Sequence, residues 1–286
     1  MNGALLRSQV RRNLCGVRMM AIVALSLGLI FMQYWTVHHA AYWRYASAPT
    51  FLREVMLFNH DGNGSGLYLF VLPFLAALLG GSVYANERMS GRVRALLPRD
   101  GRSTILGTSM LSGFILGGIG GVMPLAINLV LAAAAIPHLS FIDGDAVDEA
   151  TGMVAQQYVL IDYTSWAYPL YRFSQPLLIA FMLALIFVIS GLFATIAVGV
   201  SFFTRHRYVE TVVPFVLSVL WWMLPTLTFD MVPYDWSHNI FLYIAVGNGM
   251  PDIVARQTYI GIALTIGGSM LLTGILWLME QRRDVY

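Results

Sequence analysis

Few of the side chains in this sequence that could do chemistry are arranged to do it. All 17 basic residues are arginine, so the chain has no lysine for the phosphate loop G-x-x-x-x-G-K-[ST] and cannot hydrolyse ATP through that motif. His38 and His39 are metal-ligand types, but neighbours on a helix point about 100° apart, and no third ligand lies near in sequence. An ordinary interfacial role suits them better. Asp143, Asp145, Asp148 and Glu149 offer oxygen ligands to calcium without the twelve-residue order and central glycine of an EF-hand, and they read as a solvated acidic loop. Ser82, Ser112, Ser190, Ser218 and Ser269 sit among small and apolar residues, where hydroxyls serve helix packing. Cys15 is the single cysteine and can form no disulfide within the chain.

Two basic segments carry the positive signal. In ALLRSQVRRNLCGVR (4–18), Leu6, Val10, Leu14 and Val17 recur at helical spacing with Arg7, Arg11 and Arg12 beside them, which predicts an amphipathic helix in the membrane interface. In NERMSGRVRALLPRDGRSTILGTSML (86–111), Glu87 precedes Gly91, then Val93, Leu96 and Leu97, then Arg99 and Arg102. A short helix with an apolar edge and basic flanks can dock into a protein partner. The plainer alternative is a basic loop that only fixes topology.

The elements that must hold these segments are membrane spans. Asp, Glu, Lys and Arg are missing from 19–43, 62–86, 103–142, 173–204, 211–229 and 257–279, each able to supply the roughly 20 apolar residues that cross a bilayer core. Continuous apolar runs exclude the alternating pattern of a membrane barrel. The expected fold is therefore an all-α polytopic membrane protein: residues 1–18 as a connecting helix and 19–286 as one transmembrane domain. Its six spans fall at about 19–38, 66–86, 104–136, 174–203, 210–229 and 258–279. The stretch 103–142 is expected to be one long or tilted helix ending near Pro137, in which Gly113, Gly117 and Gly121 form a close-approach face.

Arginine placement orients the spans. With the N-terminus inside, 13 of the 17 arginines lie in inner segments (1–18, 88–102, 205–207 and 282–283), and ten of the 15 acids lie in outer loops. The basic residues decide the orientation, and both termini are expected in the cytoplasm. Because they are juxtamembrane, they call for membrane lipids as neighbours and imply no nucleic-acid partner. Charged side chains within the spans are missing too, which argues against an ion-coupled carrier or a lipid-modifying enzyme embedded in the membrane.

The N-terminal helix, the six spans with both ends inside, and the pattern E-x3-G-x4-LL-x-R-x2-R (Glu87, Gly91, Leu96, Leu97, Arg99, Arg102) together resemble the membrane subunit of an ABC-2 type ABC transporter. The position before the third span departs from that pattern, with Thr108 and Arg102 nearby where many relatives have lysine. The resemblance implies a connecting helix carrying Arg7, Arg11 and Arg12, and a coupling helix containing Glu87, Gly91, Val93, Leu96, Leu97, Arg99 and Arg102. It further implies a homo- or heterodimeric permease bound to a separate ABC ATPase subunit that holds ATP and Mg. The chain itself is then no enzyme and carries no cofactor or metal. Residues 239–247, between Pro233 and Pro251, are a candidate re-entrant segment. The expected function is ATP-driven export of an amphipathic or apolar substrate (peptide, drug or lipid) across a bacterial plasma membrane. A lipid-acting membrane enzyme and a membrane sensor or scaffold are the alternatives. Trp221 and Trp222 are candidates for the substrate path, unless they simply pack.

Topology is directly testable: in a Cys15→Ser background, cysteines at Ser90 and Ser140 should react oppositely with an impermeant thiol reagent added from outside. Equal labelling of the two would defeat the orientation.

Overall fold

The computed structural model describes residues 2–39, 51, 54–58, 62–135, 146–147, 154–155, 161, 165–204, 208–229, 231–232 and 252–282. Most of the acidic loop around 143–150, Arg205 and Arg207, and the candidate re-entrant segment 239–247 lie outside them. In chain order the helices are α1 (Gly3–Leu14), α2 (Val17–His39), α3 (Asn63–Ala76), α4 (Val83–Met89), α5 (Arg92–Asp100), α6 (Arg102–Ala135), α7 (Tyr168–Phe173), α8 (Gln175–Phe203), α9 (Val209–Trp222), α10 (Leu224–Leu227) and α11 (Asp252–Arg282). Two-residue strands at Ala146–Val147 and Val154–Ala155 pair antiparallel between α6 and α7.

Five helical stretches are long and apolar enough to cross a membrane: Val17–His39, Asn63–Met89, Arg102–Ala135, Gln175–Phe203 and Thr258–Arg282. Large apolar side chains such as Phe31, Val130 and Leu271 point outward from them, as they do where lipid is the solvent. This is a membrane-embedded helical protein. The stretch 210–229 differs from the other five. Its main helix, α9, has 14 residues, about 21 Å at 1.5 Å per residue, and the chain turns at Met223 before the single turn of α10. Pro225 has no N–H to give the carbonyl of Trp221, which breaks the ladder at that point.

The centre of the bundle is the crossing of α6 and α8. A helix face of small residues lets two backbones approach closely, and van der Waals contact between them replaces the hydrophobic drive that lipid does not supply. Gly113, Gly117 and Gly121 form that face on α6. A Cβ added at Gly117 would overlap Ala194 Cβ, one at Gly121 would strike Ser190, and one at Gly113 would lie 2.6 Å from Val198 Cγ2. A turn of π-helix, Ala77–Gly81, links α3 to α4 and brings Gly80 into the same crossing, where its added Cβ would meet the backbone of Gly113 and Gly117. Tyr68, fully buried, donates its hydroxyl to Gly121 O at 2.6 Å.

One expected loop is part of the core. The connection between α2 and α3 contains Val55, Met56, Leu57 and Phe58, all essentially inaccessible to solvent. Met56 N donates to Asn128 Oδ1 at 2.6 Å, Asn128 Nδ2 donates to Glu54 O at 3.2 Å, and Leu57 N donates to Ser65 Oγ at 3.1 Å. Leu57 holds φ at 77°, a left-handed conformation rare for a branched apolar residue, and its burial compensates for the strain. The segment therefore plugs the bundle between α2 and α6 at the end away from the Arg12–Glu87 pair.

Gly117→Leu should collapse the fold, because overpacking of roughly 1–3 kcal/mol or more meets backbone that cannot retreat. Gly107→Leu, on the same helix with nothing within 4 Å of its added Cβ, should be tolerated. Monodispersity and melting temperature in detergent distinguish the two.

Candidate functional site

The ends of α1, α4, α5, α6, α8 and α11 gather at one pole of the bundle, and arginines tie them together. Glu87, the penultimate turn of α4, is 1% exposed, and its Oε1 accepts Arg12 Nη2 of α1 at 2.8 Å. Arg92 Nη1, at the start of α5, lies 4.0 Å from the same oxygen. The second oxygen, Oε2, is buried without a hydrogen bond among the described residues. Burying a carboxylate in this way is sustainable only beside a cation. Arg102 Nη2, opening α6, binds Glu280 Oε1 near the end of α11 at 2.7 Å. Arg88 spans from α4 to the C-terminus of α8, donating to Phe202 O at 3.3 Å and to Thr204 O, carbonyls that the helix end leaves unpaired.

The connecting helix packs part of its apolar stripe, with Val10 and Leu14 against the cluster of Ile22, Leu79, Val83 and Leu116. Its buried face is Leu5, Gln9 and Asn13, with Leu6, Val10 and Leu14 half-buried alongside, while Val17 is 75% exposed at the start of α2. On the facing side of α6, Thr108, Ser109 and Ser112 are fully buried. Gln9 answers the two serines: its Nε2 donates to Ser109 Oγ at 3.3 Å, and its Oε1 accepts Ser112 Oγ at 2.6 Å. Asn2 caps α1 through Ala4 N and Leu5 N, and its Nδ2 donates to Asp100 Oδ1 at 3.0 Å, joining α1 to the end of α5. Arg7 and Arg11 face outward and, with part-exposed Arg12, line a shallow groove that also includes Cys15.

Helix α5 is a nine-residue segment held between two left-handed glycines, Gly91 at φ 72° and Gly101 at φ 73°. Only glycine takes that conformation without strain, which fixes both bends. Val93 is buried with Tyr84, Ile105, Leu106, Val198 and Phe202, and Leu96 packs against the same cluster. Leu97 is 37% exposed, and Arg92, Arg94 and Arg99 of the same helix are exposed as well. The adjacent leucines thus divide, one anchoring the helix and the other presented outward.

No family model, curated protein or solved structure matches this chain. The geometry alone defines the site.

Of the residues singled out from sequence, Val93, Leu96, Glu87 and Arg102 face inward, the last two as ion-pair partners joining helices. Leu97 and Arg99 face outward with the connecting-helix arginines. Trp221 lies apart from them, with its Cη2 2.9 Å from where a Cβ on Gly268 would stand, and Trp222 is part-exposed in the same turn. Asn2, Gln9, Arg88 and Glu280 complete the site and were not singled out. The capping position of Asn2 was readable before an apolar-periodic run. The others depend on partners about 100 residues or more away, which local spacing does not encode.

Removing either member of the Arg12–Glu87 pair should destabilise the protein by about 1–3 kcal/mol, less than a fully buried pair because the guanidinium is part-exposed. In a double-mutant cycle of Arg12→Gln and Glu87→Gln, read by detergent melting, the double variant should lose less than the two singles combined. Additive losses would show that the two charges are uncoupled.

Proposed function

We propose that this chain is the permease subunit of an ABC-2 type ATP-driven exporter in a bacterial plasma membrane. It has six spans, the shorter α9 with α10 supplying the fifth, and both termini in the cytoplasm. Its partners are a separate ABC ATPase subunit holding ATP and Mg and a second permease, identical or related. Its substrate is amphipathic or apolar. The observation that carries this reading is α5: a short helix bent out by two glycines, with Leu97 and three arginines exposed and Val93 and Leu96 packed into the bundle.

The mechanism follows from what α5 touches. A push on its outer face by an ATPase closing on nucleotide is received by Val93 and Leu96, which bear on α4, α6 and α8. It passes to α1 through the Asn2–Asp100 hydrogen bond and the Arg12–Glu87 pair. The spans then rock as packed bodies and alternate access. Energy enters as nucleotide hydrolysis in the partner, so no titrating group is required at membrane depth.

The division of Leu96 and Leu97 gives a discriminating test. Leu97→Asp should leave insertion and melting unchanged but lower ATPase co-purification and substrate-stimulated turnover roughly tenfold or more, since a docking cleft must then bury an unpaired carboxylate. Leu96→Asp should instead lower the melting temperature of the permease itself. Wild-type coupling in Leu97→Asp would reduce the segment to a topology signal and remove the assignment.

A further inference from the structure

At the pole opposite the Arg12–Glu87 pair, α2 and α6 enclose a cleft of about 360 Å³, within the range of small-molecule sites. Leu27, Ile30, Leu131 and Ala132 form its apolar walls, and three polar side chains reach into it: Gln33, Asn128 and Glu54. Two are committed to the fold. Gln33 Oε1 accepts both Ser65 N at 2.8 Å and Ser65 Oγ at 3.1 Å, and Asn128 holds the 54–58 segment by two hydrogen bonds. Glu54 is different. Its carboxylate has little exposure, and its Oε2 stands 3.7 Å from His38 Nε2, an ion pair when the imidazole is protonated and no direct hydrogen bond. The residue is fixed in place because the chain immediately after it is buried and bonded to α6. Phe31 and Tyr34 line the same cleft, adding aromatic faces to the carboxylate.

We infer that this cleft binds a singly charged alkylammonium amphiphile, its cation beside Glu54 and the Phe31 and Tyr34 rings, and its apolar body between α2 and α6. Carboxylate and aromatic faces are each attractive to a cation. Among the described residues no arginine lines the cleft, and the Glu54 carboxylate would repel an anionic amphiphile. A neutral chain would fill the walls but strip water from Glu54 without replacing it. The inference names a substrate class for the export reading and rests on that reading for its physiological meaning, whereas binding itself requires no ATPase.

Binding is therefore measured on the purified full chain in uncharged maltoside micelles, without any ATPase, using radiolabelled decyltrimethylammonium as the probe. Saturable binding is expected, at least tenfold weaker in Glu54→Gln, largely kept in Glu54→Asp, and blocked by Leu131→Trp, with melting temperatures unchanged. Unlabelled probe should displace the label, and decanol and decyl sulfate should not. Displacement by added phosphatidylethanolamine would assign the cation to a lipid headgroup, and failure to displace would assign it to a soluble amphiphile; both outcomes uphold the site. Unaltered affinity in Glu54→Gln, or displacement by decanol as effective as by the cation, would overturn it. Loss of ATPase coupling with binding intact would count against the export reading alone.

Discussion

Everything in this bundle depends on how closely α6 can approach α8. Lipid tails are as apolar as leucine, so burying leucine between helices gains little over leaving it in the bilayer, and contact must be won by proximity. The glycines at 113, 117 and 121 provide it, with Ala194 and Ser190 seated where side chains would otherwise be. Gly80, offered by the turn of π-helix, joins as a third backbone. With three main chains meeting in one layer, the polar pole has a rigid frame to be built on.

That pole uses arginine in two ways. Arg12 and Arg102 neutralise buried carboxylates, whereas Arg88 binds main-chain carbonyls at the end of α8. Ion pairs join helices that meet side by side; a helix end has no carboxylate to offer, only its unpaired carbonyls and the negative end of its dipole. Each arginine therefore meets the acceptor that its neighbouring element leaves over. α5 is attached to this frame through Val93 and Leu96 and leaves the remainder of its surface outward.

The apolar runs and the glycine column were legible because they are local patterns: 3.6-residue periodicity and charge-free length describe a helix wherever it packs. The inner and outer faces of α5 were not separable, because Leu96 and Leu97 are equivalent in composition and only the bend at Gly91 decides which one meets Phe202. The burial of Gln9 in α1 was hidden for a related reason. The apolar stripe beside it is genuine, but Ser109 and Ser112 on a distant helix supply hydrogen bonds that let an amide be buried. The 54–58 segment reads as a loop by its neighbours and buries because Asn128, far along the chain, accepts and donates to its backbone.

The hydrogen bonds of Gln9 have a consequence for how the protein is made. Its partners Ser109 and Ser112 follow it by 100 and 103 residues. At the usual pace of synthesis the connecting helix waits about 5–20 s before its seat exists. During that interval its half-buried stripe of Leu6, Val10 and Leu14, flanked by arginines, suits it to rest on the bilayer surface. The amphipathic pattern, half used in the final packing, thus also suits its waiting place. The Arg102–Glu280 pair, 178 residues apart, closes only when the last helix arrives, so the pole is assembled from the middle of the chain outward in time.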